Sequence, residues 1–488
     1  MSKSIELLEP RPIWENFSAL NAIPRASKKE ERIRQFVIDF GNKLGLEVLT
    51  DQVGNVLIKK PASAGMENRK TVVLQAHLDM VHQKNSDTIF DFDTQGIQMY
   101  VDGDWVKAQG TTLGADNGLG AAAIMGILAS NIIEHPAIEA LFTIDEETGM
   151  TGALGLQPGF LSGEILLNLD TEEDDELDIG CAGGIDVTAT RTYQQIDCPA
   201  IHVGYEIIVS GLKGGHSGMD IHKGLGNANK LMNRMLFALC QDLGVMLHAV
   251  DGGGLRNAIP RESRAILSVH PDLNDAFVQQ FEALKHAILT EYSTLEPNLN
   301  VQCNSCEAPS KAMDPLDEMA VLKSIYGAVN GVYRMSPDMD NLVEASNNVA
   351  RVQIADGNAS IMCLTRSSVE STKLEVANSL KCVFELGGFE CKFSGSYPGW
   401  KPEPNSSIVQ LMTKRYEALF GSKPAVIACH AGLECGIIGS HYPKMEMISF
   451  GPTIKGAHSP DERAHIASTS KFWSLLLDTL KHIPGRES

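Results

Sequence analysis

The chain lacks any apolar run long enough to cross a bilayer. Its most hydrophobic stretch, Ala121 to Ile133, is broken by glycine and asparagine and falls short of the roughly 18 consecutive apolar residues that a spanning helix needs. The N-terminal segment MSKSIELLEPRPIWENFSALNAIP has no basic start followed by an apolar block and a small-residue cleavage site, so no export signal is read there. Positive charge is also scarce: 41 Lys and Arg stand against 61 Asp and Glu, for a net charge of −20, and no long basic run occurs. A nucleic-acid binder or a protein docked on anionic lipid needs a basic surface, which argues against both roles. The ten cysteines have no disulfide-framework spacing, and Cys240, Cys363 and Cys382 sit in apolar segments, as expected of reduced cytosolic thiols. Cys303 and Cys306 form a single CxxC with no second pair, which reads as coincidence. There is no GxxxxGK[ST], no GxGxxG after a strand, no GxSxG and no HExxH, so nucleotide, dinucleotide, serine-hydrolase and zincin chemistries have no anchor.

What is present is an ordinary globular composition, 43% hydrophobic and 21% charged over 488 residues. At roughly 150 residues per domain this length suggests about two to four domains. Up to about Asp186, strand-length apolar runs (Thr71 to Ala76, Ala137 to Ile144, Glu164 to Leu169) alternate with Gly-rich turns and helical stretches such as Gly120 to Ser130. That is an α/β pattern. Between Asp186 and Tyr397 amphipathic strands (Tyr205 to Ser210, Ala265 to His270) interleave with helices near Asn227 to Asp242 and Asn274 to Tyr292, an α+β texture. After YPGWKPEPNSS the pattern gives a helix from Ile408 to Leu419, a strand from Met445 to Phe450 and a closing helix near Ser470 to His482. The expectation is one domain interrupted by another. The acidic run Glu172 to Glu176 reads as a solvated turn.

Five places share one grammar, in which an apolar strand or a glycine-rich turn delivers a His or a carboxylate where α/β sheets place ligands. In AHLDMV, His77 and Asp79 are one residue apart and face the same side of an extended chain, so the Asp can orient the imidazole. Taken alone, this HxD is more often a structural histidine than a ligand. In GTTLGADNGLG, Asp116 precedes an apolar helix and would, by itself, read as an N-cap. In FTIDEETGM, Asp145, Glu146 and Glu147 end a strand; neighbouring side chains diverge, so one Glu can ligate while the other handles a proton. ILLNLDTEE delivers Asp170, and ISFGPTIKGAHSPDE delivers His458. Each has a plain structural explanation; five in one chain, all of ligand type, point to metal-assisted hydrolysis. Two divalent cations would be balanced by Asp116, Glu147, Asp170 and one bridging hydroxide, with one histidine for each ion. Imidazole with carboxylate suits zinc, and manganese or cobalt would substitute.

The phrases DQVGNVLIKKPASAGMENRKTVVLQAHLDMV, GTTLGADNGLG, CAGGID, GLKGGHSG, GLGNANKL, RNAIPRE, YPGW, HAGLECG and GPTIKGAHSPDE run from Asp51 to Glu462. With them the chain resembles the zinc-dependent aminoacylase, carboxypeptidase and dipeptidase superfamily, and within it the bacterial aminoacyl-histidine dipeptidases. The resemblance implies an α/β catalytic domain, a mixed sheet flanked by helices, over residues 1–186 and 400–488, interrupted by an inserted α+β lid domain over residues 187–399. It implies two Zn2+ per chain: His77 and Asp170 on one, Glu147 and His458 on the other, and Asp116 bridging. Asp79 would orient His77, and Glu146 would be the general base. His216 would stabilise the tetrahedral oxyanion, and Asn257 and Arg366 would bind substrate, a guanidinium being a natural clamp for a free carboxylate. His82, His222 and His465 receive no role. The implied activity is cytoplasmic hydrolysis of dipeptides with free termini, Xaa-His included, by metal-bound hydroxide; the alternatives are an N-acyl-amino-acid deacylase on the same scaffold and a catalytically idle metal-binding protein. Dipeptides are the expected partners, with no nucleic acid and no membrane, and both a monomer and a homodimer are compatible with an enlarged lid.

Overall fold

The computed structural model describes residues 5–486; the first four residues of the segment inspected for an export signal, and the ends of the expected outer domain, lie outside them. The chain divides into two compact units, one built from 1–180, 402–428 and 433–488 and the other from 181–401 and 429–432. The Gly183–Thr192 strand, which straddles residue 186, belongs wholly to the second unit. No helix among the described residues is long and apolar enough to cross a membrane.

In the first unit an eight-stranded mixed sheet runs Glu47–Thr50, Val56–Lys60, Ile138–Thr143, Val72–His77, Ile165–Asn168, Glu446–Ser449, Glu176–Cys181, Ala425–Cys429. The four central strands from Ile138–Thr143 to Glu446–Ser449 are mutually parallel. Val72–His77, Ile138–Thr143 and Ile165–Asn168 are buried along their whole length, which is why they read as continuous apolar runs rather than as alternations. Every expected strand of this region is found, with ends moved by a residue or two. The helix expected at Gly120–Ser130 begins earlier, at Ala115, and its small side chains let it lie close on the sheet. At Gly120 a Cβ would come within 2.6 Å of the Leu169 carbonyl oxygen, so the helix and the strand end that leads to Asp170 approach as only glycine permits.

The second unit holds a nine-stranded antiparallel sheet. Its helices Ala228–Leu243, Asn274–Tyr292, Pro315–Gly327 and Glu370–Leu386 contribute Met232, Leu239, Phe277, Ile288, Leu322 and Phe384 to one apolar core with the sheet. This is the α+β texture anticipated from the sequence. Cys303 and Cys306 lie on the sheet-edge strand Asn300–Cys306, three residues apart and so on opposite faces, one half-buried and one exposed.

Candidate active site

The carboxyl ends of the four parallel strands converge, and four of the five expected ligands lie on or just after them. His77 ends its strand; Glu146 and Glu147 follow Ile138–Thr143, Asp170 follows Ile165–Asn168, and His458 follows Glu446–Ser449 in a Gly-containing loop. Asp116 comes from the first turn of the Ala115–Ala129 helix. It is not the N-cap: Gly114, in a left-handed conformation at φ 70°, holds that place, and the backbone of Asp116 departs from helical geometry so that its carboxylate turns to the sheet.

Asp116 faces both histidines. Its Oδ1 lies 3.1 Å from His77 Nε2 and its Oδ2 lies 3.2 Å from His458 Nε2. His77 Nε2 also lies 3.4 Å from Asp170 Oδ1, and His458 Nε2 lies 3.0 Å from Glu147 Oε2. The donor atoms therefore form the groups His77–Asp116–Asp170 and Asp116–Glu147–His458, and a third, His77–Glu146–Glu147, places Glu146 beside them. Asp79 works from below: its backbone and carboxylate oxygens meet His77 Nδ1 at 3.1 and 3.3 Å, which turns Nε2 toward the acids. The Asp79 carboxylate also accepts the backbone N–H groups of Glu146 and Glu147, at 3.1 and 3.2 Å, and the Ser27 hydroxyl.

The electrostatics fit bound cations. Burial pushes Glu146 well above the ordinary carboxyl range, and the nearby Asp170, Glu434 and Glu147 add to the shift against the pull of His77. Burial likewise raises Glu147 and Asp170. Burial would lower the proton affinity of His77, but Asp170, Asp116 and Asp79 reverse this and hold it well above the usual imidazole value. Hydrogen bonds to Asp116 and Glu147 raise His458 to about 11. Buried Glu147 Oε1 has no hydrogen-bond partner in the protein. Four carboxylates crowding two imidazoles, with an orphaned oxygen among them, form a donor set that divalent cations would satisfy.

Several residues here were invisible to pattern reading. Arg25, 2% exposed, donates to the carbonyl oxygens of Leu78 and Asp79 at 3.1 Å and to that of Gly114, tying the His77 and Asp116 segments together. Glu462 accepts the backbone N–H groups of Leu113, Gly114, Ala115 and Asp116, at 2.7 to 3.3 Å, and so fixes the turn that presents Asp116. Asp145, the third acid, points away from Glu146 and Glu147: its backbone N–H is held by Glu30 and its carboxylate accepts from Thr148 and Thr151. The acidic run is not a free solvated turn, because Glu173 pairs with Lys455 and Asp174 with Lys471, while burial, aided by Asp116, raises Glu172 to about 8.

His216, Asn257 and Arg366 all lie in the second unit. His216 Nδ1 accepts the backbone N–H groups of Gly218 and Met219, at 3.2 and 3.0 Å, which leaves the ring proton of the neutral imidazole on Nε2. Burial, with Arg366 nearby, lowers its pKa and keeps it neutral. Asn257 is exposed, and its carbonyl accepts from Ser217 N–H beside the His216–Ala258 bridge. Arg366 is 5% exposed and donates to Tyr397 Oη at 2.9 Å. Among the described residues no ion pair joins it to a carboxylate, and Asp186 pairs with Arg256 instead, at 3.2 Å. His430, from the HAGLECG phrase, meets Ser346 Oγ at 2.7 Å, and burial beside Arg366 and His216 lowers it to about 3. His82 stacks on Phe92, and His465 caps the last helix, which gives both of them structural work.

The model of peptidase family M20/M25/M40 matches residues 73–482. The chain is 44% identical to the cytosol non-specific dipeptidase of Escherichia coli over 479 residues, 98% of this chain and 99% of that protein. It superposes on the crystal structure of aminoacylhistidine dipeptidase from Vibrio alginolyticus with a TM-score of 0.95 and 43% identity, covering 99% of both chains. A tripeptidase from Staphylococcus aureus, 16% identical with a TM-score of 0.56 over 98% of this chain, shares the fold.

Proposed function

We propose that this chain, which belongs to peptidase family M20/M25/M40, is a metal-dependent dipeptidase that cleaves dipeptides with free termini, Xaa-His dipeptides among them. The observation that carries this reading is the placement of Asp116, whose two carboxylate oxygens face two different histidines, each with a further carboxylate at hand. His77 and Asp170 would hold one cation, Glu147 and His458 the other, with Asp116 shared; the imidazole and carboxylate set favours zinc. Two such ions, when bound, polarise the scissile carbonyl and make water acidic enough to attack near neutral pH.

The protein's own groups would do the rest. Glu146 would take the proton from the attacking water and return it to the leaving amine, and its raised proton affinity suits that exchange. Asp79 would hold the tautomer and direction of His77. His216, with its proton on Nε2, is a donor for the tetrahedral oxyanion, and Arg366, buried without a carboxylate partner, is a clamp for the carboxylate of the dipeptide, aided by Asn257. A cytosolic location is supported by the name of the relative that is 44% identical to this chain.

The test is amino-acid release from carnosine, Ala-His and N-acetyl-Ala-His by one preparation with its metal counted and a chelated control. Chelator-sensitive cleavage of the free dipeptides alone, at about two metals per chain, is the expected result. Cleavage of the acetylated compound alone would replace this reading with a deacylase.

A further inference from the structure

Within the first unit a continuous chain of buried side chains links two acids that the hydrolytic chemistry does not use. Asp178 Oδ2 meets Thr171 Oγ1 at 2.8 Å, and Thr171 Oγ1 meets Ser449 Oγ at 2.8 Å. Ser449 in turn contacts the Asn168 amide, Asn168 contacts the Gln75 amide, and Gln75 meets Glu434 Oε2 at 2.6 Å. Gln75, Asn168, Ser449 and Glu434 are wholly inaccessible, and Thr171 and Asp178 are 7% and 6% exposed, so every side chain of the series is buried. Gln75 and Asn168 stand two residues before His77 and Asp170 on the same strands.

Counting protons fixes the direction of the chain. At the Glu434 end, Gln75, Thr143 and Glu434 form a closed triangle, with Thr143 Oγ1 2.7 Å from Glu434 Oε2 and 3.1 Å from Gln75. Three contacts need three protons. The NH2 end of Gln75 supplies two and the Thr143 hydroxyl the third, with Glu434 ionised; were the Gln75 oxygen turned there instead, Thr143 and a protonated Glu434 would offer only two. The Gln75 oxygen therefore faces Asn168, which must present its NH2 to Gln75 and its oxygen to Ser449. Ser449 then spends its one proton on Asn168, and Thr171 spends its own on Ser449. Nothing is left for the contact between Thr171 and Asp178 unless the acid donates.

From this count we infer that near neutral pH Asp178 is a carboxylic acid that donates to Thr171, while Glu434 is the carboxylate at which the chain ends. The two acids are a poled pair, with the proton at one end and the charge at the other. Burial acts in the same direction at Asp178, raising it to about 7, with Glu176 adding to the shift and the Thr171 hydrogen bond opposing it. Burial also raises Glu434 to about 7, against the pull of His77 and the Thr143 hydrogen bond and with the push of Asp170 and Asp79, so titration tendency does not separate the two and the triangle does. One oxygen of each acid, Asp178 Oδ1 and Glu434 Oε1, has no hydrogen-bond partner. At Asp178 that oxygen is the carbonyl of a neutral acid, where the cost of burial is least. The chain makes Asp178 a positioning residue: through Thr171, Ser449 and Asn168 it fixes the amide of Gln75 on the strand that carries His77. The inference rests on the hydrogen-bond geometry and stands whether or not the dipeptidase reading holds.

Infrared difference spectroscopy of the metal-loaded protein near neutral pH reads the proton directly. Wild type minus Asp178→Asn is expected to show loss of a carboxylic-acid C=O stretch, and wild type minus Glu434→Gln loss of a carboxylate stretch. Wild-type protein carrying 13C-carboxyl aspartate gives a second reading that needs no variant: an acid band that shifts with the label, and moves again in Thr171→Val, is expected. Loss of a carboxylate stretch in Asp178→Asn, or the absence of any acid band that responds to labelled aspartate, would overturn the assignment.

Discussion

The two histidines of the candidate centre sit in opposite circumstances. The His77 side chain is 1% exposed at the end of a buried strand, its Nδ1 gripped by Asp79, whose backbone is in turn gripped by Arg25. The His458 side chain is 53% exposed on a loop, with its backbone in the left-handed region at φ 63° and, among the described residues, Asp116 and Glu147 as its ion-pair partners. One half is preorganised by the core, whereas the other depends on the ligands themselves and on a strained loop residue. The pair teaches that equal ligand roles need not have equal structural support, and that the sides of such a centre can be perturbed separately.

The comparison is cleanest if turnover can be abolished without disturbing either half. Glu146→Gln is expected to lower turnover by about 10³-fold while both metals stay bound, since it removes a proton acceptor and no ligand; metal analysis beside kinetics checks this, and lost metal would make Glu146 a ligand. The next effect falls on both histidines together. With His77 held well above its ordinary value and His458 raised to about 11, both rings are protonated at neutral pH in the metal-free chain, and a cation must displace those protons. Apparent metal affinity should therefore rise with pH, by up to about tenfold per pH unit for each proton released, and mixing metal with chelated protein in weak buffer should acidify it. Absence of proton release would show that the rings are already neutral.

The halves should then part company under substitution. His77→Ala leaves Asp79 buried beside an emptied space and should destabilise the metal-free protein by about 2 kcal/mol, whereas His458→Ala should cost about 0.5 kcal/mol or less and chiefly lose metal to a weak chelator. Denaturant titration of the two variants decides, and equal losses would erase the asymmetry. In the same titration Glu462→Gln is expected to cost about 2 kcal/mol, because its amide oxygen can accept from only one of the two pairs of backbone N–H groups and its NH2 leaves the other pair unsatisfied; an unchanged stability would remove Glu462 as the anchor of this turn.

The candidate ligands can be read in the sequence because each follows an apolar strand or a glycine turn in a short window, and a strand must end where its side chains stop being buried. His77, Glu147, Asp170 and His458 were legible for that reason, and so were the two sheets, since one has a parallel, continuously apolar centre and the other alternates. The supports were not. Arg25 and Glu462 act on backbone atoms 53 to 349 residues away, and no local pattern encodes such a partner. Asp145 looked equivalent to its neighbours until the backbone turned it toward Thr148 and Thr151. Asp116 reads as a helix cap because its departure from helical φ and ψ is set by Glu462 and by the left-handed Gly114 before it. The proton position on His216 depends on two backbone N–H groups, a matter of geometry rather than of composition.

The reach of Glu462 has a consequence for how the protein is made. The turn that presents Asp116 is held by a residue 349 positions downstream of its first anchor, on the same loop that brings His458. A ribosome must pass Glu462 before that turn has its scaffold, so a chain cut short of this residue carries Asp116 without the acid that fixes its turn. The scaffold of the candidate centre is thus withheld until Glu462 has been made, and a frameshift at any point before it removes the same anchor.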